Sequence, residues 1–153
     1  MPASSYRLED ILPHRPPMVL LDEVLSVDED VRSLVASSTI RPEWSENWSA
    51  IELMAQAAAA LAGVFDQVSG SDHPARPGFL LGTRRISFSV PSFEVGRTYL
   101  VTAKDVFSDE VSASFECTVR DGDKVVASAV LNAYRPNDVS SFLSQQHESG
   151  KAG

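Results

Sequence analysis

The sequence predicts an α+β fold in which a long central helix is wrapped by a curved antiparallel sheet of about six strands. Two strand-like segments precede one long apolar helix, and four further strand-like segments follow it. Strands and helices do not alternate in the way that builds a parallel sheet. Because the helix is apolar around nearly its whole circumference, it has to be buried on all sides, and the sheet must curve around it.

The two strands before the helix are predicted over 18–27 and 31–40, on either side of an acidic turn at 28–30. Both segments are rich in Val, Leu and Ile, as strands are. The preceding stretch, 11–17, contains three prolines. Proline removes a backbone donor and restrains its predecessor, so this stretch is not predicted to be regular helix.

The helix is predicted to begin at Ser49 and to end at about Val68. Ser49 and Glu52 have the spacing of a capping box. Four consecutive alanines at 57–60 give the segment a high helix propensity. Gln56 is the polar exception within the apolar part, and its burial would require a hydrogen-bond partner. The many alanines indicate that other backbone packs closely against this helix.

The four strands after the helix are predicted over 79–90, 97–107, 111–119 and 125–134, with a hairpin signal at 121–122. The third of these alternates apolar and polar residues, which places Cys117 on its buried face as an unreactive core residue. From 136 onward the chain is rich in Ser, Gln and Asn. We therefore expect one domain over 7–136 and a polar, disordered tail over 137–153.

Composition narrows the possible functions. The chain has 153 residues and a net charge of −8, which argues against nucleic acids and anionic membrane surfaces. A single cysteine excludes an intrachain disulfide, and three scattered histidines give no metal-ligand pattern. We expect no metal, no other cofactor and no membrane insertion. The cysteine usage and the polar N-terminus favour a cytoplasmic location.

Two motifs carry a resemblance to a known family. The segment 12–24, LPHRPPMVLLDEV, and the helix segment 52–57, ELMAQA, resemble the N-terminal signature and the active-site helix of the hotdog-fold 3-hydroxyacyl-[acyl-carrier-protein] dehydratases. The resemblance runs from about residue 7 to about residue 136. A divergent branch associated with aryl polyene and polyketide-type pathways resembles the chain better than the housekeeping enzymes do.

The resemblance implies dehydration of 3-hydroxyacyl thioesters on acyl carrier protein to 2-enoyl thioesters, in fatty acid or polyene/polyketide-type biosynthesis. This chemistry needs a base beside the thioester carbonyl and an acid at the departing hydroxyl. By the resemblance, Glu52 is the acid. Gln56 lies one turn further on, and either orients Glu52 or satisfies a backbone group of the sheet. Backbone amides near Ser49 and Ala50, with one from 78–82, would polarise the thioester carbonyl.

The base of that family is missing from its expected place. In the family a histidine of a Gly-His-Phe-Pro loop before the helix supplies it, whereas 41–50 contains no histidine here. His14 belongs to the N-terminal motif, where a structural role is expected. The base would then be either a histidine from a partner subunit or the carboxylate of Glu43 or Glu46.

Other residues are candidates for binding. The substrate-binding candidates are Gly78, Phe79, Leu80, Gly82, Trp44 and Trp48. The two tryptophans could instead cover the end of the helix or anchor an interface. Arg84 and Arg85 would form a basic patch for an acidic carrier protein, or else belong to an ordinary solvated strand face.

Three functions follow as alternatives. The first is a dehydratase whose site is completed by a second chain, as a homodimer or as a heteromer with a histidine-bearing dehydratase subunit. The second is a hotdog acyl thioesterase, in which a helix carboxylate activates water without a histidine. The third is a non-catalytic partner subunit of another dehydratase. All three expect a second protomer at the exposed sheet edge.

Overall fold

Six strands of the chain form one antiparallel sheet. They are β1 (Glu23–Asp28), β2 (Ser33–Thr39), β3 (Leu80–Phe88), β4 (Thr98–Ser108), β5 (Ser112–Asp121) and β6 (Lys124–Tyr134), in the order β1-β2-β4-β5-β6-β3. The computed structural model describes residues 6–12, 18–68, 80–109 and 112–134. The predicted tail over 137–153 lies outside the described residues. The α+β class, the strand number and the chain order agree with the sequence prediction.

The long helix α2 (Ser49–Val68) lies against this sheet and packs mainly on β4, β5, β2 and β6. Side chains from all around its circumference are fully buried, as the apolar sequence requires: Leu53, Met54, Gln56, Ala57, Ala60, Leu61 and Val64. Although α2 is long, neither it nor any other described helix is apolar enough over a sufficient length to cross a membrane.

A short helix that the sequence analysis did not predict, α1 (Leu8–Ile11), packs against α2. Its backbone comes so close to Gly63 that a Cβ there would lie 2.1 Å from the carbonyl oxygen of Ile11. The expectation that other backbone approaches the small residues of the helix is therefore confirmed at this position. The signal for α1 was the spacing of Leu8, Ile11 and Leu12, of which the last two are fully buried.

The first strand is shorter than predicted. It begins at Glu23 rather than at 18, because the backbone of Leu20 bonds to side chains and not to the backbone of a neighbouring strand. Leu20 donates its amide to Gln56 on α2, and its carbonyl accepts from Ser38 on β2. The segment 18–22, called the strap below, therefore connects the sheet to the helix.

The alternation predicted for the fifth strand is confirmed. Phe115, Cys117 and Val119 of β5 are buried, and the Cys117 sulfur lies 3.9 Å from the carbonyl oxygen of Met54 on α2. Burial raises the pKa of the Cys117 thiol to about 12, and the nearby Glu116 acts in the same direction. The thiol is consequently neutral at physiological pH and unreactive.

We predict that Gly63→Ala lowers the free energy of unfolding by about 1–3 kcal/mol, because the new methyl group meets the backbone of Ile11. The clash has to outweigh the gain of about 1 kcal/mol in helix propensity. Urea unfolding at fixed protein concentration measures the change in the free energy of unfolding. The control is Gly82→Ala, where a Cβ meets nothing within 4 Å. A Gly63→Ala variant as stable as Gly82→Ala would contradict the close approach of α1.

We predict that the folded Cys117 thiol reacts with a disulfide reagent at pH 8 at least about 100-fold more slowly than the thiol of the urea-unfolded chain. With a pKa of about 12 only about one thiol in ten thousand is ionised at that pH. The pKa of the Cys117 thiol is raised from 9.0 to about 12 by folding, so the folded chain keeps the thiol neutral over that range. The contribution of Cys117 to the free energy of unfolding is therefore fully present below pH 9 and is lost as the pH rises from about 9 to about 12. Rapid labelling of the folded chain would refute the burial.

Candidate active site

Glu52 lies in the first turn of α2, and its side chain is half-buried. Trp48, one turn earlier, is 60% exposed, and so is Met18 of the strap. Met18 is joined to Glu52 through Gln56, which bonds to both residues. The Glu52 carboxyl group is therefore linked through Gln56 to the backbone of Met18. The exposed side chains of Met18 and Trp48 are suited to contact with an apolar acyl chain or with another protein surface.

Gln56 is fully buried and makes three hydrogen bonds. Its amide nitrogen donates to the carbonyl oxygen of Met18 at 2.7 Å and to Oε1 of Glu52 at 3.1 Å. Its amide oxygen accepts from the Leu20 N–H at 2.9 Å. These partners determine which amide atom is oxygen and which is nitrogen, because Leu20 offers a donor and Met18 an acceptor. Gln56 therefore contacts Glu52 and also satisfies two backbone groups, which belong to the strap and not to the sheet.

The strap is held on its other side by β2. The hydroxyl of Ser38 donates to the Leu20 carbonyl at 2.8 Å, and the Asp22 N–H donates to the Ser37 carbonyl at 2.7 Å. The carboxylate of Asp22 accepts from the N–H and the hydroxyl of Thr39, each at 2.7 Å. The sequence predicts strands for these residues but gives no signal for the network between them, because the residues that form it lie far apart in the chain.

The start of α2 is where the sequence predicted it, but the predicted capping box is wrong. Among the described residues the buried Ser49 hydroxyl has no hydrogen-bond partner. The amides of Ser49, Ala50 and Ile51 instead donate to the carbonyls of residues 46, 47 and 48, at 3.0–3.1 Å. These bonds replace the side-chain cap. They also occupy the two amides that were expected to polarise the thioester carbonyl.

The loop before α2 is fixed to the segment that follows β3. The carbonyl of Ser45 accepts from the Phe93 N–H at 2.6 Å, and the Asn47 side chain donates to the Val90 carbonyl at 3.2 Å. The residue between them, at 46, forms a backbone bridge with the one at 92. A loop bonded at three successive residues holds the N-terminus of α2, and with it Glu52, in a defined position.

The two tryptophans of this loop have different environments. Trp44 is a core residue, only 8% exposed, with the Arg41 guanidinium stacked 4.2 Å from its ring centroid. Its role as a substrate-lining residue stays a prediction, and so does the alternative that it covers the end of the helix. Trp48 is exposed and is available to a ligand or a partner.

The two carboxylates considered for the catalytic base lie at the protein surface. Glu43 and Glu46 are both exposed carboxylates of the same loop. His14, the histidine of the N-terminal motif, lies outside the described residues. In the described part of the chain, no three His, Cys, Asp or Glu side chains are grouped in a way that could hold a metal ion.

The remaining binding candidates lie on or just before β3, an edge strand of the sheet. Gly78 and Phe79 lie outside the described residues, and of Leu80 only the strand position is described. Gly82 is exposed and pairs with Asn132 on β6. Thus the structure joins Glu52 to Gln56 and the strap by hydrogen bonds, whereas the contacts of the β3 candidates with a substrate remain a prediction.

Arg84 and Arg85 are both exposed and lie at a β-bulge, where the register of β3 against β6 shifts between Arg84 and Ser87. Arg85 has a φ of 54°, in the left-handed region that non-glycine residues rarely adopt. Arg84 donates to the Asn132 side chain at 3.3 Å. The bulge therefore presents two adjacent cationic side chains to solvent at a sheet edge.

Comparison with known protein families gives one match, to the ApeP-like family, described as ApeP dehydratase, over residues 6–144. A comparison with curated proteins found no match.

Solved structures give the fold independently. The dehydratase heterocomplex ApeI:P from Xenorhabdus doucetiae matches with a TM-score of 0.80 and 26% identity, covering 92% of this chain and 97% of that chain. The phenylacetic acid degradation protein PaaI from Thermus thermophilus matches with a TM-score of 0.53 and 15% identity, covering 74% and 92%. An HP0420 homologue from Helicobacter felis has a TM-score of 0.63 at 9% identity, covering 84% and 88%. The last two support the fold alone.

We predict that Gln56→Met, which keeps the side-chain volume, lowers the free energy of unfolding by about 2–4 kcal/mol. The variant leaves the buried Leu20 N–H without a partner, which costs about 1–3 kcal/mol, and it removes the described partner of the part-buried Met18 carbonyl, which adds a smaller loss. Urea unfolding measures the change. The control is Glu52→Gln, which keeps an oxygen acceptor for Gln56 and should change stability by less than about 1 kcal/mol. Equal stabilities of the two variants would contradict the assigned bonds.

Proposed function

The chain belongs to the ApeP-like dehydratase family, and from this membership we propose that it acts in the dehydration of 3-hydroxyacyl thioesters on acyl carrier protein to 2-enoyl thioesters. The observation that supports this most directly is the half-buried Glu52 at the start of α2, hydrogen-bonded to a buried Gln56. A carboxyl group whose orientation is fixed, and which is still partly accessible, meets the requirement for a general acid.

In this proposal Glu52 is the acid and Gln56 positions it. A base removes the proton from the carbon beside the thioester carbonyl, and the electron pair forms the new carbon–carbon double bond. The hydroxyl on the next carbon leaves with the proton of Glu52 as water. The proton taken by the base then returns to Glu52 through solvent, so the cycle consumes no co-reactant. Because Gln56 bonds to only one carboxyl oxygen through its amide, it orients Glu52 without competing for its proton.

We propose that the base is a histidine of a second, histidine-bearing dehydratase subunit. Two observations support this: residues 41–50 contain no histidine, and the similar structure from Xenorhabdus doucetiae is a dehydratase heterocomplex. A homodimer in which Glu43 or Glu46 serves as the base is the alternative within the same proposal. The exposed side chains of Met18 and Trp48 offer apolar surface for such a subunit.

For substrate binding we propose Trp48 and the segment 78–82. Since the amides of Ser49 and Ala50 already have acceptors, the donor to the thioester carbonyl has to come mainly from an amide of 78–82. The exposed ring of Trp48 would then pack against the acyl or aryl chain near Glu52.

We propose that Arg84 and Arg85 contact the carrier protein. Carrier proteins are acidic, and a protein with a net charge of −8 needs a local basic surface to bind one. Both side chains are exposed at the edge strand β3. A chain that shares carrier-bound intermediates with other biosynthetic enzymes would act in the cytoplasm.

A second candidate function is a non-catalytic partner subunit that completes another dehydratase. The absence of a histidine from 41–50 favours it, and so does the heterocomplex among the similar structures. The thioesterase alternative has no specific support among the described contacts, and the family membership favours dehydration over it.

We predict that the chain with a histidine-bearing dehydratase subunit converts a 3-hydroxyacyl carrier protein to the enoyl product, and that Glu52→Gln lowers kcat at least about 100-fold. The amide introduced by this substitution keeps the hydrogen bond to Gln56 but has no acidic proton. The measurement is the mass of the carrier-bound product, which loss of water makes about 18 Da lighter than the substrate. The matched control is Asp123→Asn, an exposed carboxylate in the turn between β5 and β6 that has no part in the proposed reaction.

The outcomes separate the alternatives. Activity of the complex that is unaffected by Glu52→Gln would refute the catalytic role and support the partner-subunit function. Activity of the chain alone that is lost in Glu43→Gln or in Glu46→Gln would identify a base within this chain. Loss of activity in Glu52→Gln alone supports the proposal.

A further inference from the structure

Ser38 is a buried hydroxyl on the otherwise apolar inner face of β2. Its neighbours on that face, Leu34 and Ala36, are also fully buried, and Ser38 itself is 0% exposed. A hydroxyl at such a position lowers stability unless it is hydrogen-bonded. It has one described bond, 2.8 Å long, to the carbonyl oxygen of Leu20 in the strap. An alanine would fill nearly the same space, so the bond to Leu20 is what the hydroxyl adds.

We propose that Ser38 is a positioning residue for Glu52, an inference that rests on the proposed function of Glu52 as the acid. A continuous series of hydrogen bonds leads from Ser38 to the carboxyl group. Ser38 donates to the Leu20 carbonyl, the Leu20 amide donates to Gln56, and the Gln56 amide donates to Glu52, over 2.8, 2.9 and 3.1 Å.

The series is rigid because each link leaves its neighbours little freedom. The carbonyl and the amide of Leu20 belong to two successive peptide planes, so bonding both fixes the strap at this residue. Gln56 also donates to Met18, which fixes the rotation of its amide group. All of these residues are buried except Met18 and Glu52. A displacement of Leu20 therefore shifts the amide group that orients Glu52.

The other attachments of the strap do not substitute for Ser38. Asp22 bonds to the backbone of Ser37 and to Thr39, but it lies at the C-terminal end of the strap, next to β1. Arg41 donates to the Val19 carbonyl at 3.3 Å from an exposed side chain, which is a long and weak bond. Among the described bonds, Ser38 supplies the buried attachment from the sheet at the residue that binds Gln56.

The test is Ser38→Ala in the full-length chain, assayed with the histidine-bearing subunit. We expect kcat to fall about 3- to 10-fold while KM changes less than about 2-fold, because orientation and not binding is affected. We also expect the side-chain amide protons of Gln56 to exchange with solvent at least about 10-fold faster, as measured by NMR. Ser38→Thr keeps the hydroxyl and should restore both values.

The control is Ser37→Ala at the adjacent, 7% exposed position, whose described bond to the strap uses only the backbone carbonyl. Unchanged kcat in Ser38→Ala, or an equal loss in Ser37→Ala, would overturn the inference. If Ser38→Ala does not fold, Ser38→Cys, which keeps a weaker donor, takes its place under the same criteria. Full activity of Glu52→Gln would instead refute the proposed function. In that case the exchange rates of the Gln56 amide protons in Ser38→Ala would decide on their own whether Ser38 is linked to that amide.

Discussion

The structure around the candidate site depends on one buried side-chain amide. Gln56 lies in the middle of an apolar helix, where each unsatisfied polar group would lower stability by about 1–3 kcal/mol. Its three bonds go to the strap and to Glu52. The burial of the helix and the placement of the Glu52 carboxyl are therefore one arrangement, since the amide that the core must satisfy also bonds to that carboxyl.

The small residues of α2 make that arrangement possible. The absence of a side chain at Gly63 allows the backbone of Ile11 to lie directly on the helix, so the N-terminal segment packs against it before the strap begins. A side chain at this position would displace the backbone of Ile11 from the helix.

The loop before α2 has a structural part in this chain. Trp44 is in the core, and Ser45 and Asn47 bond to the segment after β3. Where the resembled enzymes carry a histidine, this loop provides a rigid support for the start of the helix. The proposed site, with Glu52 on one chain and the base on another, agrees with this structural part of the loop.

The sequence by itself determined the α+β class, the long buried helix, the strand order along the chain and the inward position of Cys117, because these follow from local apolar periodicity. It also selected Glu52 and Gln56 as candidates, from the motif that contains them. Only the tertiary structure decided that Trp44 is in the core while Trp48 is exposed, that Ser49 does not cap α2, and that Ser38 meets Leu20. The physical reason is that these outcomes depend on contacts between residues distant in sequence, about which local propensity carries no information.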